Sequence, residues 1–182
     1  MAKKSDHEAG RHCATAWKDW LKEHGSRLYV YARQRCNNRE DAEDMIQDAL
    51  VRLWGYQEER GNVPPDLPLA YSVLRFVAMD HGKKKGRKKR KEEAIIYLHD
   101  RDDYWLDTSA EEDDEAEVLR HAVAGLGEKL REVVTLKVWG GLTFVQIAET
   151  MAISPNTAAS RYRYALEQLK RKLETLKGER LG

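Results

Sequence analysis

Cysteine is scarce in this chain: Cys13 and Cys36 are the only two among 182 residues, and no CxxC pair occurs. That rules out a disulfide framework and a zinc ribbon. His7, His12, Cys13 and Cys36 fit no zinc-ligand spacing, so neither a metal nor another cofactor is expected. Proline is nearly as rare, with four residues, and no stretch alternates apolar and polar residues between turn pairs. An all-β architecture is therefore not expected. No apolar run reaches the ~18 residues of a membrane span, and residues 1–12 lack the apolar core of a secretory signal. A reduced, cytoplasmic protein is the expectation. No glycine-rich phosphate loop follows a strand and no nucleophile sits in a known motif, so the chain is not expected to be an enzyme.

Charge is plentiful. Charged residues make up 35% of the chain, yet the formal net charge is only +1. The mean hydropathy of -0.75 implies a large solvated surface around a modest core. The near-neutral sum hides two opposed blocks. Residues 83–91, KKKGRKKRK, carry eight basic side chains in nine positions. Residues 100–117, DRDDYWLDTSAEEDDEAE, carry ten acidic ones and one Arg. Blocks of like charge stay solvated or meet a polymer of opposite charge.

The rest of the pattern is helical. Trp17, Trp20 and Leu21, then Leu28, Tyr29 and Ala32, fall at helical spacing within a block from about Thr15 to Tyr56. NNREDAED interrupts that block, and Asp41 is the expected N-cap of the next helix. There Ala42, Met45, Ile46, Ala49, Leu50 and Leu53 form one apolar face, opposite Glu43, Asp44, Gln47, Asp48 and Arg52. Pro64, Pro65 and Pro68 mark a loop. A third helix runs from about Leu69 into the lysine tract. Its apolar residues surround most of its circumference, which predicts the most buried helix of the set.

A charged linker is placed at 93–114, because its charge density leaves it little to bury. Beyond it, Val118 to Leu126 predict a short helix stopping at Gly127, and Leu130 to Val138 a second ending at Gly140 and Gly141. Thr143 with Gln146 is a capping-box pattern. Ser154 suits an N-cap and Pro155 the first helical position. The final helix has a stripe of Ala158, Tyr162, Ala165, Leu169 and Leu173. Asn156, Ser160, Arg163, Tyr164 and Glu167 lie on the other side, with Thr157 and Arg161 on the flanks. The short turn MAIS before it predicts a helix-turn-helix. A helix entering the major groove needs small polar residues at its N-terminal end, and its amides there favour a phosphate. SPNTAASRYR meets that need, and its arginines can fork onto guanine or clamp a phosphate.

Two segments carry a resemblance. REDAEDMIQDALVRLW (39–54) resembles region 2.2 of bacterial sigma-70 family sigma factors. GLGEKLREVVTLKVWGGLTFVQIAETMAISPNTAASRYRYALEQLKRKL (125–173) resembles their region 4. The two stand in family order with no region 3 between them, as in the extracytoplasmic-function (ECF) group. The resemblance covers roughly 15–91 and 115–175. It implies an all-α chain of two small helical domains, a region 2-like domain at 1–92 and a region 4-like domain at 115–182, joined by the acidic linker.

It further implies binding to core RNA polymerase, through its β′ clamp and β flap, and to promoter DNA, with an anti-sigma factor as a further candidate partner. Asp44, Gln47 and Asp48 would face the polymerase. Asn156, Thr157, Ser160, Arg161 and Arg163 would read the −35 element. Tyr71, Arg75, Phe76, Lys83, Lys84 and Arg87 would engage the −10 element, where melting needs aromatics for unstacked bases and cations for phosphates. The anionic linker, set against 83–91, is expected to weaken DNA binding by the free protein. The chain departs from the family at several positions. Phe76 stands where an Asn is usual, Leu69 for a Trp, Gly127 for a Pro, Ala152 for a turn Gly, and Ala159 for a basic residue. Two alternatives remain at the level of sequence: an autonomous helix-turn-helix regulator, and a sigma-like interaction module without initiation activity.

Overall fold

The computed structural model describes residues 2–36, 38–58, 60–61, 63–92 and 114–180, without the side chains of 2–12, 83–92, 114–117, 120 and 176–180. The linker expected at 93–114 thus falls almost wholly outside the described residues. Among those described there are seven helices and no strand. They are α1 (Ala2–Arg33), α2 (Arg39–Glu58), α3 (Leu67–Glu92), α4 (Asp114–Ala124), α5 (Glu128–Val138), α6 (Phe144–Met151) and α7 (Pro155–Arg180).

Local chemistry sets the helix boundaries. Asn38, not Asp41, caps α2: its side-chain oxygen accepts the Asp41 amide at 2.8 Å. Asp41 instead sits in the first turn, where its carboxylate opposes the positive end of the helix dipole. Asp66 caps α3 in the same way, accepting the Leu69 amide at 2.9 Å. α4 stops at Ala124 rather than at Gly127, and Gly127 is the N-cap of α5. The Arg131 guanidinium closes the end of α4 by donating to the carbonyls of Ala124 at 2.6 Å and Leu126 at 2.9 Å. Thr143 and Gln146 form the full reciprocal capping box of α6.

The turn from α6 to α7 is a Schellman end. The Ile153 amide donates to Ala148 and the Ala152 amide to Glu149. Ala152 takes the left-handed position, at φ 52°, that the motif demands. Ser154 then caps α7, accepting the Thr157 amide at 3.0 Å.

α1 to α3 form one helical unit and α4 to α7 a second, and one apolar core passes through both. It holds Trp17, Leu28, Tyr31 and Ala32 of α1, Met45, Ala49 and Leu53 of α2, and Tyr71, Leu74 and Val77 of α3. Val133, Leu136, Leu142, Ile147, Met151 and Ala158 of the second unit join the same core. The helices meet as α3 on α6 and α1 on α5. Ala122, Val123, Leu126, Val134, Ala165 and Leu169 make a smaller core that ties α4 and α5 to α7. Fully burying each large apolar side chain contributes about 1.5–3 kcal/mol, so neither core needs covalent support. Contrary to expectation, α3 is not apolar-covered all round. Phe76 is 56% exposed and Met79 45% exposed, because α2, α1 and α6 cover only part of it.

Candidate nucleic-acid interface

The reading helix is built from its cap outward. Ser154 holds Thr157 twice, through the amide and through its hydroxyl at 2.8 Å. That fixes the first turn of α7. Asn156, Ser160 and Arg163 are exposed beyond it, and Thr157 and Arg161 are half-buried at the edges. An Arg163 nitrogen stands 3.5 Å from the Ser160 hydroxyl. Ala158, Ala165 and Leu169 are buried on the opposite side. Small polar groups and a guanidinium thus project from one face of a capped helix. Such a face can meet base edges and phosphates.

The acidic face of α2 is also open. Asp44, Gln47 and Asp48 are all exposed. Asp48 lies 3.0 Å from the His81 imidazole of α3, so a partner reaching Asp48 must share it with His81.

The six residues expected at the −10 element part company. Tyr71 is 0% exposed and packs edge-to-face on Tyr31, with ring centroids 5.4 Å apart. It is a core residue, and no base can reach its ring while α1 covers α3. Burial pushes its phenol up to about 12, with Arg27 pulling the other way. Arg75 turns toward the second unit, its Nε 3.1 Å from Glu132. Phe76 is exposed, and the Arg52 guanidinium stands 5.3 Å from its ring centroid. Lys83, Lys84 and Arg87 continue α3 along its backbone, and their side chains lie outside the described residues.

Sequence reasoning missed the polar centre of the molecule. The Glu132 carboxylate is buried between the two units. Its Oε1 accepts from the Tyr31 hydroxyl at 2.7 Å, from Arg35 at 2.7 Å and from Arg75 at 3.1 Å. Arg35 also reaches Glu128 at 3.4 Å, and Thr135 donates its hydroxyl to Gln34 beside them. Burial pushes the Tyr31 phenol well above its ordinary range, Arg35 draws it part way back, and the Glu132 anion pushes it further. Burial alone would lower Arg35, but Tyr31, Glu132 and Glu128 together hold it above its ordinary value. A partial signal was present: Glu132 stands four residues before Leu136, on the same face of α5, although it lies opposite the Leu130, Val133 and Val134 stripe. A carboxylate buried on such a face demands partners. Among the described residues, no group of three or more His, Cys, Asp or Glu could hold a metal ion.

Comparison with known proteins gives this geometry its family. The model of sigma-70 region 2 matches residues 20–88, and that of sigma-70 region 4 matches 116–169. An RNA polymerase sigma-E factor of Streptomyces antibioticus is 30% identical over 135 residues, covering 74% of this chain and 72% of that one. The ECF RNA polymerase sigma factor SigL of Mycobacterium tuberculosis is 25% identical over 158 residues, covering 85% and 86%. In the fold, the sigma factor RpoE of Bartonella quintana, crystallised with the anti-sigma factor NepR, superimposes with a TM-score of 0.65 at 20% identity, covering 86% of this chain and 98% of that one. Two region models in family order, with a relative matched across most of its length, leave one assignment: the chain belongs to the sigma-70 family of RNA polymerase sigma factors, in its extracytoplasmic-function group.

Proposed function

We propose a division of labour among the residues of a chain that, as a sigma factor, binds core RNA polymerase and directs promoter-specific initiation. The capped N-terminal face of α7 reads the −35 element, through Asn156, Thr157, Ser160, Arg161 and Arg163. Asp44, Gln47 and Asp48 on α2 dock on the β′ clamp, where an acidic, amide-bearing face suits a basic partner. The open apolar groove of Leu119, Leu166, Leu169 and Leu173 between α4 and α7 suits an apolar segment such as the β flap. The strip of α3 that carries Phe76, with Arg75 once it is freed from Glu132 and the basic run from Lys83 through Lys84 and Arg87, engages the −10 element. Tyr71 is left to the core. Residues 1–92 and 115–182 are the functional domains on this reading, with 93–114 as their connection. RNA synthesis itself is the polymerase's chemistry, and this chain supplies no catalytic group. Its place of work is the cytoplasm, where its polymerase is, and no described helix is long and apolar enough to cross a membrane. An anti-sigma factor, the partner of the Bartonella relative, is a partner for this chain too.

The reading has a geometric consequence. Elements named −35 and −10 are separated by about 25 base pairs, or ~85 Å of duplex at 3.4 Å per pair. In the structure α3 packs directly on α6. That arrangement brings the two DNA-facing helices too close to serve both elements. Promoter engagement therefore requires α3 to leave α6, which releases Arg75 from Glu132.

The observation that carries the −35 assignment is the Ser154-capped turn with its exposed Asn156, Ser160 and Arg163. Footprinting of the polymerase complex on a responsive promoter tests it. Asn156→Ala with Arg163→Ala should erase upstream protection and leave polymerase binding intact. Unchanged upstream protection would refute the assignment.

A further inference from the structure

The three groups that hold Glu132 all belong to the first helical unit. Tyr31 lies in α1, Arg35 just past its end, and Arg75 in α3. They converge on one atom, Glu132 Oε1, which takes the Tyr31 hydroxyl at 2.7 Å, Arg35 at 2.7 Å and Arg75 at 3.1 Å. Contacts inside the first unit set these donors in place. The Arg35 guanidinium stands 4.8 Å from the Tyr31 ring centroid, Tyr31 packs edge-to-face on Tyr71, and Arg75 reaches the Met79 sulfur at 3.6 Å. The cradle therefore outlasts the departure of Glu132. Two guanidiniums and a phenol around one oxygen suit an oxyanion, phosphate as well as carboxylate. Negative charge is short there: among the described residues Glu132 is the one buried carboxylate, and Glu128, the second partner of Arg35, is 83% exposed. The boundary around it is also imperfectly closed. Thr135 of α5 donates to Gln34 across it, while Gln34 Nε2 is buried with no partner among the described residues. Such a donor opposes closure, because water satisfies it when the units part.

We propose that Tyr31, Arg35 and Arg75 form a phosphate site for promoter DNA, which Glu132 fills in the free chain as an internal competitor. This rests on the reading that promoter engagement parts α3 from α6, and it adds both a site and the group that blocks it. The occupant is a backbone phosphodiester, because the helix that carries Arg75 runs on into the basic tract 83–91, which suits the same polymer. The Glu132 carboxylate and a phosphate exclude each other at the cradle. Closure and DNA binding are thus alternatives, and the coupling is reciprocal: DNA in the cradle favours the open chain by the same factor that opening favours DNA.

The test uses the full chain, free and bound to core polymerase, with forked promoter DNA carrying a single-stranded −10 segment. Glu132→Gln keeps the shape of the side chain and removes its charge. Free, this variant should show a larger radius of gyration by small-angle scattering. It should also bind the DNA at least about tenfold more tightly, the factor for a closed state that holds about nine-tenths or more of the wild-type chains. Arg35→Gln removes one cation of the latch, so it too should expand the chain, but it lacks part of the site. It should bind more weakly than Glu132→Gln, with a salt slope shallower by about 0.7–0.9, the value of one phosphate contact. The double variant should keep that shallower slope. Bound to polymerase, which holds the chain open, Glu132→Gln should change DNA affinity by less than about twofold, while Arg35→Gln still weakens it. The wild-type chain supplies a check without substitution: its radius should rise when saturating DNA is added.

Free Glu132→Gln with the radius and DNA affinity of the wild type overturns the competition, and so does a wild-type radius that saturating DNA leaves unmoved. Expansion with equal salt slopes for Glu132→Gln and Arg35→Gln overturns the phosphate site. Arg35→Gln that loses polymerase and keeps DNA overturns it as well, and would make the cradle a seat for a carboxylate of the polymerase. A wild-type polymerase complex that leaves the forked DNA unbound overturns the −10 assignment instead.

Discussion

Replacing Glu132 by Ala removes the one carboxylate that two guanidiniums and a phenol share across the two helical units. The cost follows from the geometry. Arg35 and Arg75 have side chains only 14% and 28% exposed, so water replaces the lost anion poorly. Breaking a buried pair by deleting one partner costs about 3–5 kcal/mol. The partial exposure of Arg75, and the second partner of Arg35 at Glu128, place the value near the lower end, at about 3 kcal/mol. Glu128→Ala is the control. That carboxylate is 83% exposed and 3.4 Å from Arg35, so its loss should cost less than about 1 kcal/mol. Urea denaturation reads the stabilities. Amide exchange reads the place, with faster exchange expected at the α1–α5 and α3–α6 contacts. A gain in radius of gyration by small-angle scattering would mark the units moving apart. Equal losses for Glu132→Ala and Glu128→Ala, with exchange unchanged at those contacts, would refute the claim that Glu132 holds the units together.

Three further outcomes are expected. Ala152→Gly should stabilise the chain by about 1 kcal/mol, since its φ of 52° suits glycine and strains alanine; a thermal melt should rise by about 2–4 °C, and a fall would contradict the strain. Alkaline titration followed at 295 nm should show Tyr31 and Tyr71 ionising above the ordinary phenol range, Tyr71 at about 12. Unfolded tyrosines release their protons near 10, so the unfolded chain binds fewer protons than the folded one above that pH. Stability should therefore fall as pH rises from about 10 to about 12, and Tyr71→Phe should flatten part of that fall. Changing the acids of 100–117 to Asn and Gln should tighten binding of the free chain to duplex DNA and steepen its salt dependence; unchanged affinity and slope would show that the linker does not oppose the basic tract.

Much of the architecture is legible because it rests on neighbours in sequence. The α2 stripe of Ala42, Met45, Ala49 and Leu53 is buried as its spacing predicts, and so are Ala158, Ala165 and Leu169 of the α7 stripe, with Tyr162 and Leu173 half-buried. The Thr143–Gln146 box and the Ser154–Pro155 start are short local patterns, and both form. Where two caps compete within a few residues, sequence is a poorer guide, and Asn38 displaces Asp41. What stays hidden depends on distance along the chain. Glu132 meets Arg75 and Tyr31 across 57 and 101 residues, and no periodicity links them. Tyr71 and Phe76 look alike as aromatics on one helix. Only the placement of α1 and α2 decides that the first is sealed in the core and the second faces water under Arg52.

The most direct test of the account is transcription by bacterial core RNA polymerase with this chain added, on pooled genomic fragments from its source. The account predicts discrete start sites that align upstream on shared −35 and −10 sequences and vanish with Asp44→Ala plus Gln47→Ala. No starts and no polymerase binding, with sequence-specific duplex binding by the free chain, would contradict it and leave α7 as a reader acting alone.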